Sequence, residues 1–210
     1  LGDLAASTHG DFQLASKGGV FRGLRLSYAA KVENAGKIAA GAAAIGSMLG
    51  SVTGKKDAAD IANKAQAVAE ISKTLTAIPY DQLNLVFTRD EAMNTTLKDF
   101  SLIAPELRLS GGGQIMAQPG TGLLKQSLTL EFYLRARGRT AELIKYLGKL
   151  DATTDELGYA PCTLPLKVAG TLARPDTTEL NQAMAALALE KSGVTERASE
   201  LFNKLIGGGK

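Results

Sequence analysis

The sequence holds no tryptophan, one cysteine and one histidine in 210 residues, and its aromatics amount to 5%. Cys162 alone cannot close an intramolecular disulfide, so the chain carries no redox signature and fits a cytosolic or a periplasmic compartment equally. His9 alone excludes a histidine-rich metal site, and no metal or cofactor is expected. So few aromatic rings leave few platforms for stacking bases. An excess of one charge sign is missing too: 24 Lys and Arg stand against 21 Asp and Glu, a net charge of +3. Nucleic-acid binders concentrate far more positive charge on one face, so no nucleic-acid partner is expected. Long hydrophobic runs are also scarce. Ile38 to Gly54 (IAAGAAAIGSMLGSVTG) is uncharged between Lys37 and Lys55, near the length of a bilayer span of about 20 residues. Only Ile38, Ile45, Met48, Leu49 and Val52 in it are large and apolar, so it reads as a loosely packed or surface helix. Gly46 and Gly50 set a GxxxG spacing that permits close helix approach. The chain starts at Leu1, which suggests a piece of a longer protein whose upstream signal or anchor would not be visible here.

Hydrophobic residues at 45% and charged residues at 21% can support a packed core at this length. Alternation with period two is the leading pattern, because successive strand side chains point to opposite sides. Leu128, Leu130, Phe132, Leu134 and Ala136 share one face, against Thr129, Glu131, Tyr133, Arg135 and Arg137. Leu164, Leu166, Val168, Gly170 and Leu172 repeat the pattern, as do Leu83, Leu85 and Phe87, and Leu107 and Leu109. Phe12 and Leu14 precede an expected turn at Lys17-Gly18-Gly19, followed by Leu24, Leu26 and Tyr28. Helical stripes stand beside these strands. Asp57 is the expected N-cap of a helix carrying Ile61, Ala65, Val68, Ser72 and Leu75, with Ile71 and Ile78 alongside and Pro79 closing it. A turn at Gly54-Lys55-Lys56 would join it to the Ala/Gly-rich helix. Thr140 can cap a helix with Leu143, Ile144, Leu147 and Leu150. Asp176 and Glu179 suggest a capping box before Leu180, Ala183, Met184, Leu187 and Ala188, with Gly193 ending that helix. Val194, Ala198, Leu201, Phe202 and Leu205 suggest one more. The expected fold class is α+β. A curved, mostly antiparallel sheet has one apolar face partly covered by amphipathic helices, with a helical insertion at about 29–78 and a C-terminal helical tail at 176–206, all in a single domain spanning 1–210.

Catalytic chemistry finds no foothold. Gly50-Ser51-Val52-Thr53-Gly54-Lys55-Lys56 differs from a phosphate-binding loop in its glycine spacing and in having Lys56 where a hydroxyl should hold magnesium. Gly111-Gly112-Gly113 reads as a tight turn. No Gly-x-Ser-x-Gly elbow is present. His9 reads as a solvated loop residue and Cys162, after Pro161, as a buried inert thiol. Asp90-Glu91 and the stretch from Asp151 to Glu156 read as solvated turns. Arg135, Arg137 and Arg139 form the nearest thing to a basic stripe; a solvated strand face is favoured over phosphate contact. What remains is an amphipathic sheet, and each buried CH₂ contributes about 0.8 kcal/mol, so an acyl chain along Leu128, Leu130, Phe132 and Leu134 is one use of it. The other use of that row is as core beneath the helices.

Several segments fall in an order that resembles AsmA-like proteins. Gly10-Asp11-Phe12-Gln13-Leu14 and Gly19-Val20-Phe21-Arg22-Gly23-Leu24 are similar to the family's "dGvirGidL" phrase. Leu107-Arg108-Leu109-Ser110-Gly111-Gly112-Gly113-Gln114-Ile115 is similar to its "lrlxGxGxi" segment. Leu164-Pro165-Leu166-Lys167-Val168-Ala169-Gly170-Thr171-Leu172-Ala173-Arg174-Pro175-Asp176 is similar to its "lPlkvsGTlxxPxxxpD" ending. Two departures stand out: Met116-Ala117-Gln118-Pro119 replaces an Asp-Leu pair, and no glycine occupies the turn Asp90-Glu91-Ala92-Met93. The resemblance implies the C-terminal region of a Gram-negative envelope protein, periplasmic and tethered to the inner membrane by a segment outside this chain. It implies no enzyme activity, a part in outer-membrane biogenesis, and phospholipid as partner in an apolar sheet groove. The expected lipid contacts are Leu128, Leu130, Phe132, Leu134, Leu164, Leu166 and Val168. A structural module that packs against envelope proteins without carrying lipid is the alternative.

Overall fold

The computed structural model describes residues 8–22, 24, 55–164 and 166–189. Eight strands build an open antiparallel sheet: β1 (Gly10–Phe21), β2 (Ile78–Arg89), β3 (Thr95–Ile103), β4 (Leu107–Met116), β5 (Ser127–Ala136), β6 (Ala160–Pro161), β7 (Leu166–Gly170) and β8 (Pro175–Asp176). Among the described residues three α-helices accompany it: α1 (Lys55–Thr76), α2 (Gly138–Tyr146) and α3 (Thr178–Leu189). The strand order is β1-β2-β3-β4-β5-β7-β8, with β6 also pairing β5. The fold class is α+β. Short turns join β2 to β3 and β3 to β4, and a longer connection through residues 117–126 leads to β5; each neighbouring pair is antiparallel.

Register explains how the alternating sequence becomes a core. Leu83, Leu102, Leu109 and Leu134 stand opposite one another across β2 to β5. The next row is Leu85, Phe100, Gly111, Phe132 and Leu166. Leu102, Leu109, Leu134 and Leu166 are almost fully buried. They share one cluster with Val68, Ile71 and Leu75 of α1, Ile144 of α2 and Leu180, Met184 and Leu187 of α3. The stripe expected on α1 is the buried one, from Ala65 to Leu75. Helix α1 packs on α2 and α3, and α3 on β7.

Local chemistry moved several boundaries. Helix α1 already includes Lys55, Lys56 and Asp57, so these residues form neither a turn nor an N-cap. Ile78 opens β2 opposite Phe21, and Pro79 lies inside that strand instead of closing the helix. Gly18 and Gly19 do not turn the chain: β1 runs through them with φ of 73° and 149°. They act as a pivot. Leu83 and Leu85 face the core from odd positions of β2, whereas Ile78 and Tyr80 face it from even ones, and Asp81 and Gln82 between them are both exposed. A Cβ on Gly19 would lie 2.5 Å from the Tyr80 hydroxyl, so the ring crosses where only glycine fits.

The Gly111–Gly113 run is likewise no turn; it is the middle of β4. A Cβ on Gly112 would sit 2.6 Å from the Leu97 carbonyl oxygen, and one on Gly111 would sit 2.9 Å from Phe132 Cα. The glycines let β3 and β5 close on β4. The Phe100 and Phe132 rings, both opposite Gly111, meet edge to face at 4.9 Å and fill the space a side chain would have taken. Strand β3 escaped the sequence pattern because it is bulged: Lys98 and Asp99 stand where Gly112 alone faces them, so Leu97 and Phe100 both join the apolar rows although three residues apart.

At the helix starts, Thr140 lies inside α2 and Asp176 lies two residues before α3. Asp176 accepts the Thr178 N–H at 2.8 Å, while the Thr177 carbonyl accepts the Asn181 N–H at 2.9 Å. Thr177 is therefore the N-cap, and Asp176 supports it from one residue earlier. The stretches from Ile38 to Gly54 and from Val194 to Leu205, with Leu26, Tyr28 and Gly193, lie outside the described residues.

Candidate functional site

The two ends of the sheet differ in chemistry. At one end the β3–β4 turn meets α2 and the loop before β6. The Glu106 carboxylate accepts the Thr140 hydroxyl at 2.7 Å, the Thr140 N–H at 3.1 Å and the Arg139 N–H at 3.3 Å. These N–H groups belong to the first turn of α2, so a carboxylate from a distant turn satisfies donors that the helix itself leaves unpaired. The Thr140 hydroxyl above all, with those N–H groups and Arg137 nearby, holds the Glu106 carboxyl below its ordinary range. Tyr159 is buried, its hydroxyl donating to the Ala104 carbonyl at 2.8 Å, with the Arg137 guanidinium 4.4 Å from its ring centre. Arg137 also donates to the carbonyls of Pro105 at 2.6 Å and Leu157 at 3.0 Å. Asp155 accepts the N–H groups of Tyr159 and Leu157 and pairs with Arg108 at 3.1 Å and Arg135 at 3.5 Å. The Tyr159 N–H is the largest cause of its lowered pKa.

The expected basic stripe is thereby divided among internal partners. Arg135 serves Asp155, Arg137 braces Tyr159, and Arg139 pairs with Glu70 at 3.4 Å and Glu142 at 3.6 Å.

The opposite end carries a cleft of about 740 Å³, framed by the β2–β3 turn and the β4–β5 connection. Asp90 holds Asn94 through both carboxylate oxygens, and Asn94 Oδ1 accepts the Ala117 N–H at 3.0 Å, which ties the two segments together. Arg89 donates from Nε to the Met93 carbonyl at 3.3 Å. Met93 adopts φ of 67°, where glycine is the comfortable residue. Gln126 lines the cleft at 5% exposure, and its Oε1 is sealed from solvent with no hydrogen-bond partner among the described residues. Among the described residues no carboxylate lines this cleft, and Arg89 is the charged side chain in its lining. Met116, Leu123 and Leu124 nearby in the chain are 46%, 40% and 65% exposed. Sequence reasoning missed this site; the signals available were the Gly/Pro-rich stretch Pro119-Gly120-Thr121-Gly122 and the absence of glycine in the β2–β3 turn.

Of the seven expected lipid-contact residues, Leu128, Phe132, Leu134, Leu164, Leu166 and Val168 are buried in the core, and Leu130 is half-buried against it. The row beyond Phe100 and Phe132 is less covered, although Leu128, opposite Ile115 one row further on, is buried again. Phe87 stands opposite Phe12 and Leu97, and Leu97 opposite Gly113, which faces Leu130. Phe12, Phe87, Leu97, Ile115 and Leu130 are all half-buried, and Leu14 is 49% exposed. Phe12 and Phe87 stack at 5.1 Å.

His9 is exposed and Cys162 packs half-buried against the core, its thiol pushed up to about 12 by burial. Asp90 and Asp151 serve their own turns. Among the described residues there is no group of three His, Cys, Asp or Glu placed to hold a metal, and no helix long and apolar enough to cross a membrane. Compared with known proteins, the chain matches no family model, no curated protein and no solved structure.

Proposed function

We propose that this chain is a non-enzymatic AsmA-like domain of a bacterial envelope, periplasmic and tethered to the inner membrane through a segment outside this chain, that binds or guides phospholipid along an apolar sheet face in outer-membrane biogenesis. One observation carries the reading: the apolar register rows run past the helix-covered core. Phe12, Phe87, Leu97 and Leu130 lie along one row and Ile115 in the next; all five are apolar and half-covered, and Leu14 lies beside them more exposed still. Six methylenes laid on such a strip contribute about 5 kcal/mol at ~0.8 kcal/mol each. Leu130 is the expected contact that reaches this strip; the other six are buried in the core. Curvature belongs to the same reading, since the β3 bulge and the glycine-pinched β4 are the devices that bend and twist strands. Mass spectrometry of lipids extracted after gentle purification tests it, with enrichment of phospholipid over the host membrane background as the expected result.

The alternative, an interaction module without lipid, draws on β1. This twelve-residue edge strand pairs only β2 among the described residues, and Leu14 and Val20 on it are 49% and 45% exposed. An edge of that length invites a partner strand. A lipid-free protein after gentle purification would favour it.

A further inference from the structure

A buried acceptor without a donor costs about as much as a lost hydrogen bond, and a ligand donor relieves that cost. Gln126 Oε1 is such an acceptor; it is sealed from solvent, but its residue lines a cleft whose volume of about 740 Å³ suits a small ligand or a headgroup. Arg89 sets a positive charge in the same wall. The half-covered row leads there: Phe87 lies two residues before Arg89 on β2, and Ile115 two residues before Ala117 at the end of β4. An apolar track thus ends at a cleft that offers one cation and one hydrogen-bond acceptor.

Building on the lipid reading above, we infer that this cleft seats the headgroup of a phospholipid that carries an N–H or O–H donor. The phosphate faces Arg89, the headgroup donor reaches Gln126 Oε1 after the carboxamide turns about its last side-chain bond, and the acyl chain runs back along Phe87, Leu97 and Ile115. The seat selects by chemistry. An ethanolamine head has donors for Gln126; a choline head, whose nitrogen bears only carbon, has none.

The test titrates the purified chain with dihexanoyl phosphatidylethanolamine, dihexanoyl phosphatidylcholine and free phosphoethanolamine. Affinities come from calorimetry. The Gln126 side-chain amide is followed by NMR and assigned by its loss in Gln126→Met. The expected result is about tenfold tighter binding of the ethanolamine lipid than of the choline lipid. The Gln126 amide signals shift with the first alone, and the preference falls below about twofold in Gln126→Met while its melting temperature stays near that of the parent. Equal binding of both lipids with unmoved Gln126 signals would overturn the headgroup seat and leave the lipid reading standing. Shifts with phosphoethanolamine but binding of neither lipid would overturn the lipid reading and the inference built on it, marking a small-molecule site. Binding of none of the three would overturn both.

Discussion

The end of the sheet around Glu106 and the end around Gln126 are built from the same strands and solve opposite problems. At the first, the polar groups that would be stranded by burial are answered: Glu106 answers the α2 N-terminus, Ala104 answers Tyr159, and Asp155 answers two N–H groups and two arginines. At the second, a non-glycine residue sits at positive φ and a buried carboxamide oxygen has no partner among the described residues. A fully answered end contributes stability; an end that keeps strain and an unmet acceptor beside a cleft has the character of a binding region. The difference teaches which end of the sheet to search for a binding region.

Substitutions can break this contrast, and their effects should fall in order. Tyr159→Ala should be the most damaging, at about 3–5 kcal/mol, because it removes a buried ring along with its hydrogen bond and its arginine contact. Urea unfolding measures it, and a loss below that of any cleft substitution would erase the distinction between the ends.

Glu106→Ala should cost about 1–2 kcal/mol by uncapping α2. It also carries a pH signature. The folded pKa of Glu106 lies below its ordinary value of 4.5, so its contribution is complete above that pH and is lost as pH falls through the lower folded value. The parent should therefore lose stability below about pH 4.5, and the variant should show a shallower decline, Asp155 still adding to the slope from its own lowered pKa. Identical acid slopes in the two proteins would show that the carboxylate is not the cap.

At the cleft the signs change. Met93→Gly should gain about 0.5–1 kcal/mol, since φ of 67° strains methionine and suits glycine. Thermal melting would detect it as a rise of a few degrees, and a fall would place the strain elsewhere. Gln126→Met should be the smallest effect, within about 0.5 kcal/mol of neutral, because an apolar side chain of similar shape replaces an acceptor that has no donor. A loss above 2 kcal/mol would mean the carboxamide already has a structural partner.

Much of the scaffold was legible from residue spacing. The period-two runs at Leu83–Phe87, Leu107–Leu109 and Leu128–Ala136 are strands, and the stripe from Ala65 to Leu75 is the buried side of α1. Legibility failed where glycine or a bulge changed the rule. Gly18-Gly19 and Gly111-Gly112-Gly113 look like turns in one dimension because glycine permits positive φ; in the sheet they admit Tyr80 and the two neighbouring strands. Strand β3 stayed hidden because its bulge places Leu97 and Phe100 out of alternation. The candidate site was illegible for a related reason, as the cleft joins two connections, linked by Asn94 and Ala117 23 residues apart, that spacing alone cannot bring together.

Side-chain periodicity determined that this chain is an α+β scaffold, because amphipathicity is a local property written every two or every 3.6 residues. Only the tertiary structure decided which leucines are sealed and which lie open, that Glu106 caps a helix 32 residues away, and that Gln126 is left with an unmet oxygen beside a cleft. Those outcomes depend on which distant backbone groups arrive within hydrogen-bonding or van der Waals reach, and register and packing alone set those distances.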